Sequence, residues 1–268
     1  MDVNLNLEFK LIKTKNELKL YKDKILELFE VSFGSKLDEL MWDWAYIDNV
    51  NGEPIVALYF DNEKLIGHYA VIPFYLKRGS KQLKCLLSMT TMVHVDYRRY
   101  GLFVKLADLA YKEAVSQEYE IVFGFPNKNS APGFSKKLGW TLSEMSYVAK
   151  VNYSDLIGLK RLDDSKSIGF DATNASLLQW RLKKPSTRYQ ILNNQLIVKT
   201  FEDSVDILYH DFDFSGLDRN DEYCVMVTNN EGLVDKKAFD YVFGFRSLGD
   251  LKLTESDFSP SLIMSDVF

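Results

Sequence analysis

Apolar residues recur at helical spacing in the first fifty residues and at strand spacing from residue 55 onward. Thr14-Lys15-Asn16-Glu17 has capping-box spacing. Behind it Leu18, Tyr21, Ile25, Leu28 and Phe29 share one helical face, which predicts a helix to about Phe33. Ser35 is the candidate cap of a second helix, with Leu37, Leu40, Met41 and Trp44 on its buried stripe. Asn51-Gly52 marks a turn. Extended apolar runs at 55–60 and 65–77 flank the polar residues 61–64 and predict a hairpin. A third strand is expected over 83–95, then a helix over 102–116 whose apolar face is Leu102, Phe103, Leu106, Leu109 and Ala110. Residues 121–125 read as a strand stopped by Pro126. A short helix over 130–138 ends at Gly139, which suits the position just past a helix, and 142–152 is strand-like again.

Hairpin strands followed by a strand–helix–strand unit predict a mixed, mostly antiparallel sheet with helices on both faces, an α/β (α+β) fold. Residues 153–174 are weakly patterned (Gly158, Asp163-Asp164-Ser165, Gly169), which places a boundary there and divides the chain into 1–152 and a smaller unit, 153–268. The second unit reads as a helix near 175–182, then Pro185, then strands near 189–192, 196–201 and 205–209. It echoes the first. Trp42-Asp43-Trp44-Ala45-Tyr46 precedes the first hairpin, and Trp180-Arg181-Leu182 with Pro185 precedes the later strands.

Composition narrows the functional classes. The chain has 268 residues, with 33 Lys+Arg against 38 Asp+Glu, a net charge of −5. That balance argues against an electrostatic nucleic-acid binder. Two cysteines, Cys85 and Cys224, stand far apart, so neither a zinc site nor a C-x-x-C redox motif can be built from them. No apolar run approaches the roughly 20 residues of a membrane helix, and the first residues carry no signal pattern. A cytoplasmic protein without membrane or nucleic-acid partners is expected. Residues 201–222 hold eight acids against Arg219 alone. Their spacing fits no calcium loop, so they read as a solvated face and no metal site is expected.

One segment carries chemistry. Val93-His94-Val95-Asp96-Tyr97-Arg98-Arg99-Tyr100-Gly101-Leu102-Phe103 lies between an expected strand and an expected helix. The first N–H groups of a helix lack internal partners and its dipole makes that end positive. Arg98 and Arg99 add charge, and Gly101 permits close backbone approach. The pattern describes an anion cradle suited to a phosphate or pyrophosphate. It is neither Gly-x-Gly-x-x-Gly nor Gly-x-x-x-x-Gly-Lys.

The same segment resembles the acyl-CoA motif of the GNAT N-acetyltransferase superfamily, whose core is Arg/Gln-x-x-Gly-x-Gly/Ala. Arg98, Gly101 and the preceding Val-His-x-Asp-Tyr match, while Phe103 replaces the last small residue. Gly124-Phe125-Pro126-Asn127 and Phe134-Ser135-Lys136-Lys137-Leu138-Gly139-Trp140 look like the second half of that domain, so the resemblance covers roughly residues 8–152. It implies a GNAT-type sheet followed by a degenerate GNAT-like unit, and an acetyl-CoA-dependent N-acetyltransferase. The acceptor implied is a small amine, with an amino sugar of surface-polysaccharide synthesis as the class this branch points to.

By the resemblance, Met92, Val93, His94 and Val95 lie along the pantetheine arm, with a backbone N–H near Met92 and Val93 for the thioester oxygen. Arg98, Arg99, Tyr100, Gly101, Leu102, Phe103 and Val104 hold the pyrophosphate, and Asn127 contacts the cofactor where the strands part. The tyrosine that in this superfamily often protonates the leaving thiolate aligns with Ser135, the candidate proton relay. His68 has an ordinary pKa that suits a general base, though a hydrogen-bonded structural histidine is the reading this position favours. Trp44, Tyr46 and Glu53 are the candidate acceptor wall. His210 has no evident partner. Phe268, as a terminal carboxylate, is a further candidate base. Two other readings stay open: an aminoacyl transferase using charged tRNA, and a non-catalytic acyl-CoA-binding protein. The oligomeric state is left open.

Overall fold

The computed structural model describes residues 7–143, 146–159, 166–193, 195–201, 204–228 and 232–265. Phe268, Asp163, Asp164, Glu202 and Asp203 lie outside the described residues. The chain begins with strand β1 (Leu7–Ile12), to which the sequence pattern assigned no element. Helices α1 (Lys15–Lys19) and α2 (Lys22–Phe33) follow. The single helix expected here is broken at Leu20–Tyr21, where Tyr21 turns inward and sets its ring 5.9 Å from that of Phe60. Thr14 caps α1 by accepting the Glu17 N–H.

Gly34, at φ +74°, ends α2. The next helix, α3 (Glu39–Trp42), is capped by Asp38 rather than Ser35, since the Asp38 carboxylate accepts the Leu40 and Met41 N–H groups at 2.7 and 3.4 Å. It runs into a π-helical turn, Asp43–Ile47. The wider turn rotates the stripe: Trp42, Trp44, Ala45 and Tyr46 are buried and Leu40 is 66% exposed, the reverse of what a regular α period requires at Leu40.

The first sheet is built from β2 (Ile55–Asp61), β3 (Lys64–Pro73), β6 (Cys85–Val93) and β7 (Ile121–Gly124), with β1 on its outer edge. Between β3 and β6 the chain leaves for a small hairpin, β4 (Leu76–Arg78) and β5 (Lys81–Leu83), so the run expected at 65–77 is two strands, not one. Helix α4 (Leu102–Ser116) packs Leu102, Leu106 and Ala110 against Ile55, Ala57 and Val71 on one face. The other face carries α2, the aromatic π turn and the second sheet, in a core that joins Trp42, Tyr46, Phe74 and Phe123 to Ile197, Leu208 and Met226.

Helix α5 (Ala131–Leu138) leads to β8 (Thr141–Leu142), and then the chain changes sheets. β9 (Ser146–Asn152) belongs to the second sheet, with β11 (Tyr189–Leu192), β12 (Leu196–Phe201), β13 (Ser204–Tyr209), β14 (Glu222–Thr228) and β15 (Lys237–Asp240). Residues 153–182 supply α6 (Tyr153–Leu156), β10 (Ile168–Phe170), which pairs with β4, and α7 (Ala175–Leu182). β16 (Gly244–Ser247) then returns to the first sheet and inserts between β7 and β8, while β17 (Phe258–Ser259) pairs with β10.

The two sheets therefore exchange strands. β8 and β9 pass one way; β15 and β16 pass back. The crossing is pinned by Ser146, whose Oγ donates to the Tyr241 carbonyl (2.7 Å) and accepts the Phe243 N–H (2.9 Å); beside it, Ser143 N–H donates to Phe243 O at 2.8 Å. The two tryptophan-bearing segments also meet. Trp44 and Trp180 stack at 5.0 Å and 13°, and each indole N–H donates to the other residue's backbone carbonyl at 2.8 Å.

Removing the Ser146 hydroxyl leaves the buried Phe243 N–H without its acceptor. Ser146→Ala is expected to lower stability by about 1–3 kcal/mol, read as a shift of the urea unfolding midpoint with an unchanged m value.

Candidate active site

β6 and β7 run parallel and pair over only three residues, Cys85–Ile121, Leu86–Val122 and Leu87–Phe123. Beyond that point β6 continues to Val93 while β7 stops at Gly124. Just past the last rung Gly124 sits against Ser88, where an added Cβ would lie 3.1 Å from the Ser88 carbonyl oxygen. Past it the strands separate, and the side of β6 that β7 no longer covers, Thr91 to Val93, lines an open cleft with Arg98, Phe103 and Ser130.

The parting strand is bent by a bulge. Register between β3 and β6 shifts between His68 and Ala70, opposite Thr90, which adopts φ +50°. A β-branched residue in the left-handed region is strained by about 1–2 kcal/mol. It is held from both ends: the Tyr46 hydroxyl bonds Thr90 Oγ1, and His68 Nδ1 lies 2.7 Å from the Thr90 carbonyl. A carbonyl only accepts, so Nδ1 carries the proton and the buried Nε2 keeps a lone pair with no partner. Burial pushes the His68 pKa down to about 4, against the opposing pull of the bond to Thr90, and pushes the Tyr46 hydroxyl well up.

At the mouth of the cleft the chain turns through a 3-10 segment, Val95–Tyr100, into Gly101 at φ +69° and the N-terminus of α4. No side chain caps that end and no acid lies in its first turn. Arg98 Nε reaches the Val93 carbonyl at 3.4 Å, which places its guanidinium beside the cleft. The result is a free strand edge leading to unpaired N–H groups under a positive dipole.

Residues 18–143 match the family model for the acetyltransferase (GNAT) domain. The chain carries a GNAT acetyltransferase domain. It is an acyltransferase, and its co-substrate is acetyl-CoA. No curated protein sequence matches the chain. Solved structures agree in fold. A GCN5-related N-acetyltransferase from Kribbella flavida is 11% identical with a TM-score of 0.60, covering 90% of this chain and 72% of that one. A GCN5-related N-acetyltransferase from Anabaena variabilis is 12% identical with a TM-score of 0.55, covering 90% and 73%. A Pyrococcus horikoshii protein is 9% identical with a TM-score of 0.57, covering 98% and 94%. At these identities the likeness is one of architecture, and it extends over the GNAT domain and the second unit together.

Within the GNAT domain, Thr91, Met92, Val93, Arg98 and Phe103 gather at one cleft. Gly101, Leu102 and Val104 form the start of α4 next to it in sequence but do not line it, and Val104 faces a separate hollow with Asp108 and Lys137. The Leu102 side chain points away, into the core beneath α4. Phe103, the departure from the usual small residue, fits because α5 offers Gly133 opposite: a Cβ there would lie 3.1 Å from the Phe103 ring. His94 accepts the Asp96 N–H and caps the 3-10 turn. Val95 is exposed at the start of that turn. The Arg99 guanidinium lies 5.0 Å over the Tyr100 ring and donates to its hydroxyl.

Other candidates sit elsewhere. Ser135 is on the exposed face of α5, off the cleft. Glu53 accepts the Lys15 N–H at 2.6 Å and so caps α1. Trp44 is sequestered in its stack with Trp180. Asn127 Oδ1 accepts the Asn129 and Ser130 N–H groups and shapes the turn before α5. Tyr46 and His68 meet, but at Thr90, not at the cleft surface. Ser32, Phe33, Asn129 and Ser130 line the cleft without having been singled out, because their places depend on how α2 and α5 dock.

The two buried neutral histidines, His68 and His210, have folded pKa values near 4, below the usual 6.5. The unfolded chain binds their protons first as pH falls. Their contribution is therefore intact above about pH 6.5 and is lost on going down toward pH 4, at up to about 1.4 kcal/mol per histidine per unit. Thermal unfolding across that window should show the slope, and His68→Gln should remove part of it.

Proposed function

We propose that the protein transfers an acetyl group from acetyl-CoA to the amine of a small molecule, and that the open edge of β6 and the N-terminus of α4 hold the donor. The splay carries this reading. The free edge at Thr91–Val93 offers backbone hydrogen bonds to the pantetheine amides, in the manner of an added strand. Its direction leads to Arg98, Gly101 and the uncapped first turn of α4, where a pyrophosphate is stabilised. The residues fit the group on one further count: that helix end carries no acid to repel it. When bound, acetyl-CoA supplies the activated acyl carbon.

The chain's own residues bind, orient and position. Backbone N–H groups near Met92 and Val93 are proposed to face the thioester oxygen. The Tyr46–Thr90–His68 clamp holds the bulge and so sets the direction of that edge. His68 acts as a positioning residue, since it is fully buried and touches the Thr90 carbonyl. For the acceptor we propose an amino sugar, on the resemblance of the motif and the second unit to the two-domain branch.

Calorimetry with acetyl-CoA on wild type, Gly101→Ala and Gly101→Glu tests the donor site. An added Cβ at Gly101 meets no atom within 4 Å, so bulk alone is tolerated and only the backbone strain, about 1–2 kcal/mol of stability, is expected for Gly101→Ala. The carboxylate of Gly101→Glu places a negative charge on the anion-binding end and should weaken acetyl-CoA by about tenfold or more. Equal affinities would remove the site assignment. Thiol release on a hexosamine panel with the wild-type protein then tests the acceptor class; binding without release on any amine would contradict it.

A further inference from the structure

The second sheet repeats the device that opens the first. β13 and β14 also run parallel and also pair over three residues only, Val205–Tyr223, Asp206–Cys224 and Ile207–Val225. β14 continues beyond the last rung to Thr228, β13 to Tyr209, and a cleft lies between their ends. No residue is common to the linings of this cleft and the one beside β6.

We propose that this second splay is a separate binding site for a small hydroxylated amine. Two polar atoms at its wall are buried and unpartnered, His210 Nδ1 and Ser261 Oγ. A buried polar atom left without a partner costs about 1–3 kcal/mol, and a ligand hydroxyl could satisfy either one. Tyr209, half-buried, adds an aromatic side to the wall and is backed by the buried Phe170, ring centroids 5.6 Å apart.

Charge decides against a second acyl-CoA. After β6 the chain turns through Arg98 and Arg99 into an uncapped helix. After β13 it turns through Asp211, Asp213 and Asp218, and no described helix stands between β13 and β14. Asp211 faces the cleft itself. The cationic side chain there, Lys77, is matched by Asp171 at 3.6 Å. A phosphate is repelled at such a mouth and an ammonium is drawn to it. His210 is neutral at pH 7, since burial lowers its pKa to about 4. Its ring therefore offers one donor and one acceptor and no charge.

The chain has three histidines, so the imidazole signals of the intact protein resolve the question by NMR. Glucosamine is the probe, titrated without acetyl-CoA so that the outcome is independent of the transferase reading; free CoA is titrated separately. The expected result is a saturable shift of the His210 signals by glucosamine in the millimolar range, with no shift of them by CoA. Ser261→Leu, which fills the cleft from the opposite wall, should abolish the glucosamine response and leave CoA binding unchanged. Failure of glucosamine to move His210, or movement of His210 by CoA instead, would overturn the proposal, as would an unaltered response in a folded Ser261→Leu protein.

Discussion

The three-residue pairing between β6 and β7 is the constraint on which the site depends. Pairing continued along the rest of β6 would close the edge that Thr91–Val93 presents. The separation begins where Gly124 passes Ser88, a contact too tight for a side chain. Below it, Ser88 Oγ donates to the Tyr69 hydroxyl, Tyr69 and Tyr111 hydroxyls bond at 2.8 Å, and the Trp140 indole donates to Tyr111. This buried chain ties β3, β6, α4 and the end of α5 together, so the strands separate from a rigid base. Above it, Thr90 is held in a strained conformation by Tyr46 and His68. Strain of this kind persists only where the surroundings over-determine it.

The rest of the chain supports that geometry from a distance. β16, from the C-terminal part, flanks β7, and its Arg246 donates to the Leu138 carbonyl and lies 4.9 Å over the Tyr111 ring. The second unit is thus structurally part of the sheet that carries the cleft. The Ser146 crossing and the Trp44–Trp180 stack join the halves at two further points, and each is built from paired or reciprocal hydrogen bonds. Coupling of this sort makes the orientation of one sheet depend on the other.

Much of this was legible in residue order. The period change at residue 55 and the helix over 102–116 are local, and local rules describe them. The left-handed Gly139 was readable because glycine takes that angle freely just past a helix. What failed was non-local. Nothing near Asp43 announces a π turn, which forms because Trp42, Trp44 and Tyr46 all find buried partners. Glu53 was read from its turn before the hairpin and Ser135 from the motif resemblance, but a long-range cap to Lys15 and the docking angle of α5 set their places. The strand exchange at Ser146 could not be read at all, since residues 146–152 look the same whichever sheet they join.

Amide hydrogen exchange of the full chain with and without acetyl-CoA tests the central claim most directly, because it reads the free edge and the helix end residue by residue. The account predicts slowed exchange on binding confined to residues 91–93 and 99–104. Binding that leaves those amides unchanged, or protects residues 207–211 at the second splay instead, would contradict it.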